Sequence, residues 1–233
     1  MSAVREHVDL TAFNSFGLSV KARYFARVET LEQLCAVVAF CRDDAVPMLL
    51  LGGGSNVLLR EDFPGLVIQM ALKGISQREG TDGRVRVNAA SGENWHDFVA
   101  YCLAKGLHGL ENLALIPGCV GAAPMQNIGA YGVEVKDFIT EVRVFDIASG
   151  AIETLSNAQC AFGYRDSVFK GALRGQKIVL GVTFELARNT EPNLSYGVLA
   201  DALAHKGAAV SAQDVFDAVC AIRREKLPEP RVL

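Results

Sequence analysis

The residues from Ala114 to Gly132 (ALIPGCVGAAPMQNIGAYG) include no lysine, arginine or acid, and the polar side chains that stand out are Gln126, Asn127 and Tyr131. Glycines at 118, 121, 129 and 132 let main chain come close to a ligand and take positive φ. Pro117 and Pro124 stiffen the segment, and Ala122 and Ala123 are small enough to lie beneath a flat ring. Gln126 and Asn127 offer donors and acceptors to a heteroaromatic edge, and Tyr131 can stack or hydrogen-bond beside it. A loop of this kind suits a large planar neutral ring that takes main-chain hydrogen bonds, and a flavin is such a ring. The competing reading is an Ω-loop packed by its own residues.

Two further blocks carry chemistry. Gly52-Gly53-Gly54-Ser55-Asn56 follows an apolar run, and successive glycines leave a row of amides free to bind an anionic diphosphate without a lysine. The block has neither Walker nor G-x-G-x-x-G spacing, so on its own a tight turn explains it equally well. Phe162-Gly163-Tyr164-Arg165-Asp166-Ser167 presents a guanidinium whose planar fork matches a carboxylate. An Arg165–Asp166 surface turn is the alternative there. Cys119 reads as a small packing residue, with no histidine near it in sequence, and Glu93 and His96 beside Trp95 read as local structure.

These blocks need elements to position them. Residues 20–29 are rich in aromatic and β-branched types and predict a strand. Thr30 with Gln33 makes a capping box. Leu31, Leu34, Cys35 and Val38 follow at the spacing of an amphipathic helix. Pro47–Leu51 predicts a short buried strand, so a β-α-β unit runs directly into the first glycine block. Alternation over Arg84–Ala89 predicts a half-buried strand. Asn94 caps a helix whose inner face is Trp95, Phe98, Val99, Cys102 and Leu103. Glu141–Val144 with a turn at Ser149-Gly150 predicts a hairpin, and Ile178–Leu186 a further strand. Ser211, with Asp214 three residues later, opens a helix bearing Val215, Phe216, Val219 and Ile222 on one face. It runs to about Arg224, and Leu227-Pro228-Glu229-Pro230 ends it. This pattern predicts one subdomain over 1–69, a second over 70–205, and a helix with linker over 206–233.

The 233 residues, half of them hydrophobic, are enough for a sizeable core, and a net charge of −3 implies no polycationic face for nucleic acid. Six cysteines, at 35, 41, 102, 119, 160 and 220, contain no C-x-x-C pair or metal-ligand spacing. Those at 35, 41, 102 and 220 fall in apolar helical patterns and are expected to be reduced, buried thiols of a cytoplasmic protein. No signal peptide and no run approaching the ~20 apolar residues of a membrane helix is read.

In order and spacing the three blocks resemble the MurB family of flavoenzymes, the UDP-N-acetylenolpyruvoylglucosamine reductases, and the likeness runs from Phe13 to Pro230. The resemblance implies an α+β, two-subdomain FAD-binding fold of the vanillyl-alcohol-oxidase/PCMH type. FAD would be held non-covalently, its pyrophosphate by Gly52, Gly53, Gly54, Ser55, Asn56 and Val57. The isoalloxazine would lie along Ile116, Pro117, Gly118, Gly121, Ala122, Ala123, Gln126, Asn127, Gly129, Ala130, Tyr131 and Gly132, with Val179 contributing from a later strand. NADPH would be the reductant and UDP-N-acetylglucosamine enolpyruvate the substrate of a monomeric enzyme. Arg165 would stabilise the charge that grows on the substrate carboxylate as hydride reaches the vinyl carbon. Tyr131, Tyr164, Tyr196, Arg223 and Lys226 would contact the substrate. Cations at a helix C-terminus also complement its dipole, which for Arg223 is an equal reading. The family continues past this stretch with a glycine-serine-phenylalanine block whose serine donates a proton, and then an assisting glutamate. A chain ending at Leu233 is therefore expected to bind FAD but to turn over negligibly. Two other readings stay open. One is an oxidase of the same superfamily, which would often tether its flavin through histidine or cysteine; the other is a non-catalytic nucleotide-binding module.

Overall fold

The structure, a computed structural model, describes residues 4–80, 83–188, 190–207 and 210–226. The chain opens with strand β1 (Val4–Asp9) antiparallel to β2 (Lys21–Val28). Helix α1 (Leu31–Asp43) follows. Its capping box forms as predicted, Gln33 N–H donating to Thr30 Oγ1 at 3.2 Å and the Gln33 side chain accepting from Thr30 N–H at 3.3 Å. The buried stripe of α1 is Leu34, Val37, Val38 and Cys41. The expectation for Cys35 is corrected: it is exposed, because the stripe starts at Leu34, and one residue further on is about 100° around a helix.

Strands β3 (Met48–Leu51) and β4 (Phe63–Met70) complete a sheet of order β1-β2-β4-β3, with β4 parallel to both β2 and β3. The β-α-β crossover thus skips one position, which β4 later fills. The predicted burial of the Pro47–Leu51 run is also corrected. As the edge strand, β3 has only Leu51 fully covered, and Leu50 faces the clefts described below. Beyond Leu51 the chain enters Gly52.

The second sheet is antiparallel throughout, of order β10-β9-β11-β6-β5, and comprises β5 (Ile75–Glu79), β6 (Arg84–Ala90), β9 (Ile139–Asp146), β10 (Ile152–Ser156) and β11 (Lys177–Ala187). Between β6 and β9 lie helix α2 (Trp95–Ala104) and a two-residue ladder, β7 (Gly129–Ala130) with β8 (Val133–Glu134). The alternation read over 84–89 is realised: Val85, Val87 and Ala89 point into the core. There they meet Trp95, Phe98 and Phe184, whose ring centroids lie 4.9–6.0 Å apart. Trp95 Nε1–H donates to the Leu113 carbonyl at 2.8 Å, so the indole also fixes the start of the long loop. Asn94 caps α2 as expected, accepting from Asp97 N–H, although Leu103 is only half-buried.

Helix α3 (Gly197–Leu203) precedes α4 (Ala212–Lys226). Ser211 and Asp214 cap α4 reciprocally, and Val215, Val219, Cys220 and Ile222 join the core of the second sheet. The expected break at Leu227-Pro228-Glu229-Pro230 lies outside the described residues. Phe145, Ile178 and Leu180 of the second sheet pack with Leu34, Leu66 and Ile68 of the first unit. Among the described residues no helix is long and apolar enough to cross a membrane.

Candidate functional site

Where the two sheets approach, β3 delivers Gly52–Val57 against the loop that follows α2. A Cβ on Gly53 would stand 3.1 Å from the Cα of Gly118, so the two backbones touch with no room for a side chain between them. Gly54, at φ +65°, has its would-be Cβ 1.9 Å from the Phe13 carbonyl oxygen, and its own carbonyl accepts from Ser15 N–H. The turn is therefore pinned to the segment before β2. Among the described residues the amides of Gly54, Ser55, Asn56 and Val57 donate to no protein group, and the N–H of Gly118 is likewise open. Those of Gly121, Ala122 and Ala123 are taken up by the carbonyls of Ser91, Cys119 and Val120.

These two segments wall a cleft of about 360 Å³. The structure brings to it Gly52, Gly53, Gly54, Ser55, Asn56 and Val57 from one side and Ile116, Pro117, Gly118, Ala122, Ala123 and Gln126 from the other. Gly121 and Val179 line an adjoining cavity of about 130 Å³, which shares Gly52, Cys119 and Ala122 with the first. Sequence reasoning missed several residues here. Trp95, Met125, Ile128 and Lys170 also line the large cleft. Lys170 is its only cation among the described lining residues, and no acid lines it. Cys119 is less of a packing residue than expected, since it borders both cavities. Burial pushes its thiol up, against the opposing effect of nearby amides of Ala122, Gly53 and Gly121. Ser91, whose buried Oγ has no partner among the described residues, borders the smaller cavity with Lys177. Lys177 bridges Asp146 and Glu153 at 2.8 and 2.7 Å, and this cation together with the Ser149 turn holds the Asp146 carboxyl well below the usual carboxylate range.

Five residues expected along the ring do not line either cavity: Asn127, Gly129, Ala130, Tyr131 and Gly132. The reason is local. Asn127 is fully buried; its amide donates to the Gly163 carbonyl at 2.9 Å and its oxygen accepts from Lys136 N–H. Gly129 and Ala130 are committed to the ladder with β8, and Gly132 is closed off by Ser195 Oγ. Tyr131 packs edge-to-face on Tyr196, centroids 5.5 Å apart. The fully buried Asn112, donating to the carbonyls of Tyr131 and Asn193, ties together the two segments carrying these tyrosines.

The Tyr164–Arg165 block forms a tight turn closed by reciprocal bonds between Gly163 and Asp166. Tyr164 is 85% exposed, and Arg165 sits at φ +52°. The Arg165 guanidinium donates to the Gly129 carbonyl at 3.0 Å, and Lys170 Nζ donates to the Arg165 carbonyl at 2.8 Å. The turn therefore joins the ladder on one side and a cleft-lining lysine on the other. Arg223 makes a structural contact through one nitrogen: its Nε donates to the Leu115 carbonyl. Lys226 is exposed at the end of α4.

Residues 22–156 match a family model described as an FAD binding domain. The chain is 50% identical over 235 residues to UDP-N-acetylenolpyruvoylglucosamine reductase of Neisseria meningitidis serogroup A, covering all of this chain and 68% of that protein. It superposes with a TM-score of 0.69 on the crystal structure of UDP-N-acetylenolpyruvylglucosamine reductase (MurB) from Thermus caldophilus, at 26% identity, over 97% of this chain and 72% of that one. A solvent-stable cholesterol oxidase shares the fold alone, at TM-score 0.59 and 15% identity over 79% of this chain and 38% of that one.

Proposed function

We propose, on the premise that the chain belongs to the UDP-N-acetylenolpyruvoylglucosamine reductase family, that it serves the reduction of UDP-N-acetylglucosamine enolpyruvate to UDP-N-acetylmuramate in peptidoglycan precursor synthesis, with FAD as bound cofactor and NADPH as reductant. The observation that carries this reading is the meeting of the two glycine segments around one cleft, Gly53 against Gly118, with a run of open amides on the first.

The residues present fit FAD. Open N–H groups from Gly54 to Val57 suit a diphosphate. The second wall, through Ile116, Ala122, Ala123 and Ile128, is apolar, as a tricyclic ring requires, and Gln126 adds a polar edge. Lys170 supplies a positive charge that balances the diphosphate. FAD supplies hydride transfer in both directions. No histidine lines either cavity among the described residues, and burial pushes the Cys119 thiol up, which supports non-covalent binding of the cofactor.

Arg165 is the residue that meets the substrate carboxylate. Its guanidinium is permanently charged, and the Gly129 carbonyl together with the Gly163–Asp166 turn sets its direction. A cation fixed before the reaction stabilises carboxylate charge as it grows, without reorganising. Tyr164 lies beside it, and the Tyr131–Tyr196 pair forms a surface for the nucleotide part of the substrate, with Arg223 and Lys226 adding positive charge near the diphosphate. On this reading residues 1–69 and 70–205 are two subdomains holding FAD from either side, 206–233 form a helix and linker, and the protein works as a cytoplasmic monomer.

Titration with FAD tests the reading. Flavin fluorescence should quench to a one-to-one end point, acid precipitation should leave the flavin in the supernatant, and UDP-N-acetylglucosamine enolpyruvate should perturb the bound flavin spectrum where N-acetylglucosamine does not. A protein that takes up no FAD would sink it. In Arg165→Met the substrate-induced change should need at least about tenfold more ligand, as expected for losing a charge-assisted hydrogen bond, with FAD uptake unchanged.

A further inference from the structure

Leu115 immediately precedes the cleft-lining Ile116-Pro117-Gly118 and has φ +55°. That left-handed conformation is unfavourable for a residue with a branched side chain and persists where surrounding structure imposes it. Both polar groups of Leu115 are gripped from outside the loop. His96, in the first turn of α2, accepts the Leu115 N–H on Nδ1 at 3.2 Å. Arg223 of α4 donates through Nε to the Leu115 carbonyl at 3.2 Å. The His96 ring lies flat on Phe216, centroids 5.3 Å apart with planes 13° from parallel. Phe216 is two turns before Arg223 on α4, and hence on the same face.

We propose that His96 and Arg223 form a clamp on the Leu115 peptide groups that sets the position of the Ile116–Gly118 cleft wall, making His96 a positioning residue for the flavin. The inference rests on the assignment of the cleft to FAD. Two helices distant in sequence converge on one strained residue in a loop that carries no charge of its own, and what they fix is where Gly118 meets Gly53. To accept, Nδ1 must be unprotonated, with the ring proton on Nε2. Burial favours this neutral ring, as does Arg224 on α4, while Asp97 on α2 opposes it. Arg223 is the other charged group of α4 at this contact. An acidified ring turns its acceptor into a donor facing the Leu115 N–H, and the clamp opens on that side.

Two substitutions separate the acceptor from the packing. His96→Phe keeps a flat ring over Phe216 and removes the acceptor, whereas His96→Asn returns an oxygen acceptor near the same place. Two readouts are taken: exchange of the Leu115 amide, followed by residue-resolved hydrogen exchange without cofactor, and FAD affinity from flavin fluorescence. His96→Phe should exchange this amide about tenfold faster and bind FAD about tenfold more weakly, in line with loss of one part-buried hydrogen bond, while His96→Asn stays near wild type in both. Because burial lowers the His96 pKa, FAD affinity of the wild type should also fall as the pH is taken well below the ordinary imidazole value, about 6.5, and that of His96→Asn should not. Wild-type exchange and affinity in His96→Phe would overturn the proposal, as would a His96→Asn variant as impaired as His96→Phe. Should His96→Phe not fold, the pH profiles of wild type and His96→Asn decide, a shared profile counting against the clamp. Failure of the wild type to bind FAD would instead refute the cofactor assignment, and the exchange rates would still report on the clamp.

Discussion

The side-chain amide of Asn127 donates to the carbonyl oxygen of Gly163 across 2.9 Å, so the glycine loop and the turn carrying Arg165 form one piece of structure. The contact is part-buried, and Asn127 itself adopts φ +44°, a region asparagine tolerates better than most residues. Replacing it with leucine removes two hydrogen bonds, leaves the Lys136 N–H without an acceptor and places a branched residue at positive φ. Asn127→Leu is expected to cost about 2–3 kcal/mol and to lower the thermal midpoint by roughly 4–12 °C for a chain of this size, as read by circular dichroism. A midpoint within about 1 °C of wild type would show that the link between loop and turn is dispensable.

Gly54 and Gly175 both have positive φ, but only Gly54 is crowded: its would-be Cβ meets main chain, whereas that of Gly175 meets nothing within 4 Å. Gly175→Ala should therefore cost only the conformational penalty, about 1 kcal/mol. Gly54→Ala must in addition displace the Phe13–Asn14 backbone from the glycine turn. It is expected to abolish measurable FAD uptake at cofactor concentrations that saturate Gly175→Ala. Equal FAD binding by the two variants would mean that the turn's conformation does not matter to the cleft.

What the sequence showed, and what it hid, follows from how local each feature is. The capping box at Thr30 and Gln33 and the Asn94 cap complete themselves within four residues, so their types and spacing determine them. The glycine blocks were legible because a side chain at Gly53 or Gly54 has nowhere to go. Strand β4 was hidden by Pro64-Gly65, a pair that ordinarily argues against a strand interior; here Gly65 packs its would-be Cβ position on the Pro47 carbonyl. Strand β1 is largely exposed at its sheet edge and shows little alternation. Helix α3 begins at Gly197 with no side-chain cap. Within the site, Asn127 and Gln126 are adjacent amides of similar chemistry, yet one is consumed by Gly163 and Lys136 while the other lines the cleft. Only the path of the folded loop separates them. The same holds for Ser91, Trp95 and Lys170, which reach the cavities from the turn after β6, the start of α2 and the segment after the Arg165 turn.

The cap of α4 should titrate. Asp214 receives Ser211 N–H and Oγ–H and pairs with Lys206, and these partners, Lys206 foremost, hold its carboxyl well below the ordinary range. A carboxyl whose folded-state pKa is depressed contributes stability above its unfolded pKa, near 3.9, and loses it as pH falls through the folded-state value. Asp214→Asn is therefore expected to melt lower than wild type at pH 7, with the difference shrinking below about pH 4. Thermal melts across that window check the sign; a gap that widens in acid would contradict it.

Lys170 lies four residues beyond Tyr164-Arg165-Asp166 and belongs to no motif of its own, so residue type and spacing offered little reason to select it. Its Nζ is hydrogen-bonded to the Arg165 carbonyl while its side chain lines the large cleft, so it touches both the Arg165 turn and the cleft wall. Because the residue is exposed, solvent screens its charge, and its interaction with a diphosphate is worth only about 0.2–1 kcal/mol. Lys170→Met should accordingly weaken FAD binding by about 1.4-fold to fivefold. The more telling comparison is with salt. Screening acts on exposed charges over about 8–10 Å at physiological ionic strength, so the affinity gap between wild type and Lys170→Met should close as salt is raised toward 1 M, where the screening length falls to about 3 Å. A gap that persists undiminished in high salt would mean that Lys170 acts through the Arg165 carbonyl, shaping the turn, and contributes no charge to the cofactor.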